Sequence, residues 1–553
     1  MPIIETQETT ELISPCRIVA SERTEQTENI LSNRYRQVSL GNFTYATIRA
    51  KGYVILDFGK EYSGGIRLLC SVNSPNGYVE TRVRFGESVG ECMAEPGEKN
   101  CGNHHSLRDF RITVPFLSDI RFGSTAFRFV RIDNTDDYDL LILSAYATYT
   151  HCNAPQTGSF VCDDALVNRI YETAHHTVFL NMQNKMIWDG AKRDRLVWSG
   201  DLNTELLSVY YTHGFVENTR NSLTFCKETT PKGQWMNNIP SYSMWYIINL
   251  CDYYLYTGDR EYILENKAYL EDTLRLLTGC IDENNQIDVM RGPTDENNIA
   301  AYFVDWPTCA DREQSKIGVH ALMMIALEKT LKLYASFGWN GEEWQTAYRR
   351  LSSFPLQKTT YKQIAAFKIL AQGNKDADDV NVLINGGANG VSTFMAYYIF
   401  SALFKSGKGE DAMNMMKEYF GKMLQVGATA FFEDFDIAWA ENCTKLNEIP
   451  RDDKKDIHGD FGKYCYEGYR HSLCHGWASG AIPFLCENVL GVEIAEAGCK
   501  VLKIHPDLLG LKKATGDFPT PLGVVHIEHE SVDGKIKTKT IAPAGIQVIV
   551  ESR

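Results

Sequence analysis

Residues 188–201 read WDGAKRDRLVWSGD, and the rest of the chain is organised around this stretch. Fourteen positions hold three acids (Asp189, Asp194, Asp201), three bases (Lys192, Arg193, Arg195) and two tryptophans (Trp188, Trp198). A solvated helix face would not interleave such charges with Trp and Gly. Gly190 and the Ser199-Gly200 pair mark turns, so the stretch reads as an irregular loop following an apolar helix. Carboxylates beside fixed guanidinium groups and flat indoles suit a sugar site: acids bond hydroxyls or move protons, and rings cover C–H faces. The same residues would equally serve a buried Asp–Arg network that only pins a loop.

Upstream, residues 1–157 carry the period of strands. YVILDFG (53–59), GIRLLCSV (65–72), VETRVRFGE (79–87), FRITVPF (110–116), FRFVRID (127–133) and LLILSAYATYT (140–150) are parted by Gly, Asn, Asp and Pro. Strands at that spacing predict an antiparallel β-sandwich. At Gly158 the period changes. Asp163 and Asp164 are placed to cap a helix with Leu166, Ile170, Ala174 and Val178 on one face. Amphipathic helices then recur to residue 490, in runs such as 243–259, 317–338, 390–407 and 409–424. About a dozen helices paired as hairpins predict an (α/α)6 toroid over 158–490, and no repeat period supports a solenoid instead. Alternation returns in VVHIEHE and KIKTKTI, predicting a small C-terminal β-domain over 491–553.

Glycoside hydrolysis usually takes two carboxyl groups, one giving a proton and the other activating water or attacking. GATAFFEDFD (427–436) offers the partner far along the sequence, setting Glu433 and Asp434 among Phe431, Phe432 and Phe435. An aromatic pocket disfavours the charged carboxylate, whereas a base must be mostly ionised; a nearby Arg or His could restore that balance.

The 188–201 stretch resembles the signature D-C-P-Q-R-E-R-L-G-W-T-G-D of bacterial α-L-rhamnosidases of glycoside hydrolase family 78. Asp189, Arg193, Arg195, Leu196, Trp198, Gly200 and Asp201 fall on matching positions without a gap. The family's usual general-acid Glu falls on Asp194, a variant shared with some smaller members, whose side chain is one methylene shorter. The 427–436 run is similar to the family's T-x-W-E-x-W segment, which puts its general base on Glu433, with Phe432 and Phe435 in place of the tryptophans. More weakly, FVDWP (303–307) sets Asp305 and Trp306 like the family's W-x-D-W platform. HSLCHGWASGAI (471–482) sets His475 like the histidine that reaches the sugar, and GQWMNNIPSYSMW (233–245) offers Trp235 as a subsite wall. The resemblance implies the same toroid behind a β-sandwich, with Asp189 and Asp201 on sugar hydroxyls, Arg193 setting the charge of its neighbours, and Trp198 and Trp306 as walls. Asp201 competes with Asp194 for the role of acid.

Composition fits this picture. With 44% hydrophobic and 23% charged residues the 553-residue chain reads as an ordinary globular protein of several domains. A net charge of −14 argues against nucleic acid and anionic membranes as partners. The 15 cysteines are scattered without a C-x-x-C spacing, which reads as reduced thiols and favours the cytoplasm. The histidines form no four-ligand pattern, so no metal or cofactor is expected. The acidic N-terminus lacks the basic start and apolar run of a signal peptide, and no stretch reaches the roughly eighteen apolar residues of a membrane span.

The resemblance, with these features, implies an inverting exo-glycosidase that removes terminal α-L-rhamnose, or a close α-L-sugar, from a small glycoside or oligosaccharide. A lyase or phosphorylase on the same scaffold would need a Tyr/His base with a uronate-neutralising group, or a basic phosphate pocket. A non-catalytic glycan binder would be marked by loss of one carboxylate.

Overall fold

The computed structural model describes residues 3–32, 34–373 and 376–551. Residues 1, 2, 552 and 553, at the outer ends of the expected first and last domains, lie outside the described residues. The N-terminal region is one antiparallel sheet of seven strands: β1 (Glu8–Ile13), β2 (Arg17–Glu25), β3 (Ala46–Asn73), β4 (Tyr78–Gly86), β5 (Asp109–Pro115), β6 (Ser118–Asn134) and β7 (Asp139–Cys152). Two short helices, α1 (Asn29–Ser32) and α2 (Val89–Met93), lie among them. β3 takes β2, β6 and β7 as partners along its length. It slips register between Gly64 and Ile66, at a site only glycine allows: Gly64 has φ +147°, and a Cβ there would strike the backbone of Thr148. Ile48, Leu56, Leu68, Phe85 and Val130 share one core with Leu180, Ala191, Ala430 and Cys474 of the helical region. The sheet is therefore fused by apolar packing to the segments that carry the site.

After β8 (Ser159–Cys162), among the described residues, come twelve helices: α3 (Ala165–Asn181), α4 (Leu202–Thr212), α5 (Glu217–Thr229), α6 (Pro240–Thr257), α7 (Arg260–Thr278), α8 (Arg312–Phe337), α9 (Glu342–Ser353), α10 (Lys362–Gln372), α11 (Ala377–Ile384), α12 (Ala396–Lys405), α13 (Gly409–Gln425) and α14 (Ala481–Asn488). Their ends follow local chemistry. Asp164 caps α3 by accepting from the N–H groups of Leu166 and Val167, whereas Asp163 accepts from those of Lys512 and Lys513. Gly258 and Gly338, in the left-handed region, close α6 and α8. α12 begins later than periodicity suggests, because Ser392 donates to Asp305 and accepts from Gln363 instead of entering a helix. α6 is buried nearly all round, as an inward-facing helix must be. The even-numbered helices pack in succession: α4 on α6, α6 on α8, α8 on α10, α10 on α12, α12 on α14, and α14 back on α4.

Two-residue ladders brace the long connections: β9 (Met182–Gln183) with β10 (Met186–Ile187), and β11 (Cys443–Thr444) with β12 (Lys455–Asp456). The last strands are β13 (Val492–Glu496), β14 (Val501–Ile504), β15 (Lys513–Thr520), β16 (Gly523–Val532), β17 (Lys535–Ile541) and β18 (Gln547–Val550). They form two sheets, and β8 supplies an edge strand to one of them by pairing with β15. Phe518, Val525 and Ile527 belong to the same core as the helices. Among the described residues no helix is long and apolar enough to cross a membrane.

Candidate active site

The acids and aromatics singled out in the sequence all lie on connections that lead into the even-numbered helices. Residues 188–201 precede α4, Trp235 precedes α6, Asp305 and Trp306 precede α8, and Glu433 and His475 precede α14. Because these helices pack side by side, their leading loops converge at one end. Unpaired N–H groups and the positive ends of the helix dipoles there favour carboxylates.

The 188–201 loop is held from within by Asp189. Its Oδ1 accepts from Gly190 N (2.7 Å) and Leu196 N (3.0 Å), and its Oδ2 accepts from the Trp198 indole (3.1 Å). Burial, then the charges of Asp201 and Asp194, hold its carboxyl well above the usual range. At the tip Asp194 and Arg195 are both left-handed, with φ +62° and +53°. Two such non-glycine residues cost about 1–2 kcal/mol each, so the surroundings must enforce this turn. Lys192 supplies much of that force. Its buried ammonium meets Glu87 (2.8 Å) and Glu91 (3.2 Å) of the sheet region and donates to the carbonyls of Tyr469 (2.9 Å) and His471 (2.8 Å).

Arg193 is the centre of the site. One terminal nitrogen of its guanidinium binds Asp194 and the other binds Glu433, while its Nε donates to the Arg470 carbonyl at 2.6 Å. The Tyr466 ring lies 3.7 Å from the guanidinium carbon. Glu433 also accepts from Ser472 N (3.2 Å) and from the Cys465 thiol (2.8 Å). Burial would raise its carboxyl, but the Arg193 guanidinium, by charge and by hydrogen bond, outweighs burial and holds it well below the usual range. The Arg or His that could restore the balance for a carboxylate among phenylalanines is Arg193.

Asp201 accepts from the Tyr242 hydroxyl at 2.8 Å, and burial pushes its carboxyl up to about 8. His475 Nε2 lies 3.9 Å from Asp201 and 4.0 Å from Glu433, so the imidazole spans the two. Burial lowers that histidine to about 4 and keeps the ring neutral. Asp305 accepts from Trp306 N (2.8 Å) and from Ser392, and burial raises it to about 7. Trp306 packs edge-on against Phe303 at 5.2 Å. Trp235 is brought to none of these acids by any hydrogen bond or ring contact. Its N–H is spent on Thr294 (2.9 Å) and its ring is buried.

Three buried polar atoms near the carboxyls have no protein partner among the described residues: His475 Nδ1, Asp434 Oδ2 and Glu205 Oε1. Such atoms point to a polar ligand or to water. Two clusters bring ligand atoms close enough for a cation, Glu87–Glu91–His458 and Asp189–Asp201–His475. The Lys192 ammonium already fills the first. In the second, Asp189 and Asp201 are committed to loop N–H groups, Trp198 and Tyr242.

Sequence reasoning missed Cys465, Tyr466, Tyr242, Glu205 and the role of Lys192, and it missed His105, whose Nε2 lies 3.2 Å from Asp194. Cys465 and Tyr466 sit in an aromatic-rich run just before His471, a weak signal. His105 lies in the sheet region, where nothing in the local pattern points to a site.

Residues 155–352 match the family model described as the bacterial alpha-L-rhamnosidase 6 hairpin glycosidase domain. That segment is therefore similar to the six-hairpin glycosidase domain of bacterial α-L-rhamnosidases. Its fold is similar to that of a GH78-family rhamnosidase of Bacillus sp. GL1 (TM-score 0.72, 20% identity, 95% of this chain and 55% of that one). It is also similar to a rhamnosidase from Klebsiella oxytoca with rhamnose bound (TM-score 0.67, 18% identity, 87% and 96%). A third is a Streptomyces avermitilis α-L-rhamnosidase complexed with L-rhamnose (TM-score 0.67, 14% identity, 97% and 50%). At these identities the likeness is one of fold. The chain spans about half the length of the Bacillus and Streptomyces proteins and nearly all of the Klebsiella one. No curated protein matches the sequence. The matched segment holds Asp189, Arg193, Asp194 and Asp201, and Glu433 lies beyond it.

Proposed function

We propose that the protein is an inverting exo-glycosidase that releases terminal α-L-rhamnose, with Asp194 as general acid and Glu433 as the base that activates water. The observation that carries this reading is the pairing of the two carboxylates through Arg193 in contrasting surroundings. The Glu433 side chain is 2% exposed and that of Asp194 15% exposed. The base on water belongs on the closed side, and the acid belongs where the departing group can leave. Arg193 keeps Glu433 ionised, as a base must be. Asp201, Asp305 and His475 serve as donors and acceptors for sugar hydroxyls, with Trp198 and Trp306 as apolar walls, while Asp189 holds the loop that carries Asp194. The scaffold we read is an (α/α)6 toroid over 158–490, closed by the packing of α14 on α4. A β-sandwich-type region (1–157) and a small C-terminal β-domain (491–553) flank it. The ligand is a small carbohydrate, acted on in the cytoplasm without a cofactor.

One observation favours a second assignment of the acid. Asp201, raised to about 8, holds a proton at neutral pH. It is nevertheless nearly fully buried and hydrogen-bonded to Tyr242, away from the open side. Hydrolysis of an aryl α-L-rhamnoside followed by proton NMR tests the reading. The first product expected is β-L-rhamnose; α-L-rhamnose, or no hydrolysis, would refute it.

A further inference from the structure

The sheet region reaches the site through the loop between α2 and β5. Its His105 has φ +58°, a conformation that non-glycine residues rarely adopt, and from it the ring presents Nε2 to Asp194 Oδ1 at 3.2 Å. Arg193 holds the other oxygen of the same carboxyl. Three hydrogen bonds fasten this loop and the neighbouring β6 to the 188–201 loop. Ser106 Oγ donates to the Lys192 carbonyl (2.6 Å), and Arg195 donates to the Ser124 carbonyl (2.8 Å) and hydroxyl (3.3 Å). Within the loop, Asn103 Oδ1 accepts from the N–H groups of Arg108 (2.9 Å) and Asp109 (3.2 Å). His105 is 43% exposed, Leu107, two residues further along the same loop, 54%, and Leu196, two residues after Asp194, 46%.

We propose that this β-region loop builds the leaving-group side of the site, with His105 as a positioning residue for Asp194 and Leu107 and Leu196 offering an apolar face to an aryl aglycone. The inference rests on Asp194 being the acid. A carboxyl on a short Asp side chain has one methylene less reach than Glu, so its angle to the glycosidic oxygen must be set from outside. Arg193 alone fixes one oxygen and leaves rotation about the carboxyl; His105 fixes the other. Two anchors orient the acid without touching the substrate's sugar. An aglycone leaving past Asp194 passes Leu107 and Leu196, and covering their exposed surface favours an apolar ring over a fully hydroxylated sugar.

The test uses p-nitrophenyl and p-methoxyphenyl α-L-rhamnosides, which are close in shape and differ in the basicity of the departing phenol. His105→Ala should lower kcat about tenfold or more on the methoxyphenyl substrate and under about threefold on the nitrophenyl one, because only the poorer leaving group needs a well-aimed acid. KM should stay within about twofold, and His105→Gln, which keeps an N–H near Nε2, should restore most of the loss. Leu107→Ser should raise KM for both aryl substrates and leave that for methyl α-L-rhamnoside unchanged. Equal losses on both phenols, or no rescue by Gln, would overturn the role of His105. Asp194→Asn is run alongside. If it shows leaving-group dependence and His105→Ala does not, the inference falls and the acid stands. If neither does, both fall.

Discussion

Asp194 and Glu433 are held by the same guanidinium and differ in almost everything else. Glu433 sits on the closed side, with Cys465, Ser472 N and Arg193 all donating to it. Asp194 sits on a strained left-handed turn at the open side, between Arg193 and a histidine from another region of the chain. Two like groups are thus given unlike surroundings. The donors that touch Glu433 all come from the helical region. The open side is shared with the sheet.

The largest effect should come from the closed side. Glu433→Gln should lower kcat/KM by about a hundredfold or more on every substrate, because all of them need activated water, and added azide should restore turnover by replacing that water. Asp194→Asn should fall far less on nitrophenyl rhamnoside than on a rhamnosyl disaccharide, whose departing alcohol must be protonated. If Asp201→Asn, and not Asp194→Asn, showed that dependence, the comparison would invert and the buried carboxyl would be the acid.

A middle-sized effect concerns Asp201. Its carboxyl is raised from an ordinary value of 3.8 to about 8, chiefly by burial. The proton is kept in the folded protein until about pH 8 and lost from the unfolded chain near pH 4. Folding therefore becomes less favourable as pH rises across that window. Asp201→Asn should raise Tm at pH 8 by a few degrees and leave it unchanged at pH 4, while activity drops. The same titration should give the wild type a fall in kcat/KM above about pH 8 that the variant lacks. A variant no more stable at pH 8 would show that Asp201 is ionised in the folded state.

The order of helices was legible because their periodicity is a consequence of burial on one side, and the 188–201 loop was legible because its charges are dense in sequence. Asp189 illustrates the limit. Its residue type suggested a hydroxyl binder, but both oxygens are taken up by its own loop and by Trp198, which only a folded turn reveals. Trp235 stood out by size, yet its N–H goes to Thr294. The contributions of His105, Cys465 and Lys192 depend on segments from about thirty to nearly three hundred residues apart, joined only by packing. No local pattern encodes such a contact. Asp163 and Asp164 are adjacent and alike, and only the strand that arrives near Lys513 decides which one caps α3.

The smallest expected effect tests how closely the closed side is tuned. Cys465 donates to Glu433 Oε1 at 2.8 Å, and its thiol is raised by burial and by that carboxylate, so it remains an S–H donor and not a thiolate. A thiol is a weak donor, and Glu433 keeps Arg193 and Ser472 N when it is removed. Cys465→Ala should therefore cost only about two- to fivefold in kcat/KM, equally on good and poor leaving groups, because the defect lies with the base. Cys465→Ser supplies a stronger donor at the same place and should recover most of it. A leaving-group-dependent loss in Cys465→Ala would mean that the thiol acts through Arg193 on Asp194, and the two sides of the site would then be one coupled unit, not two separately tuned ends.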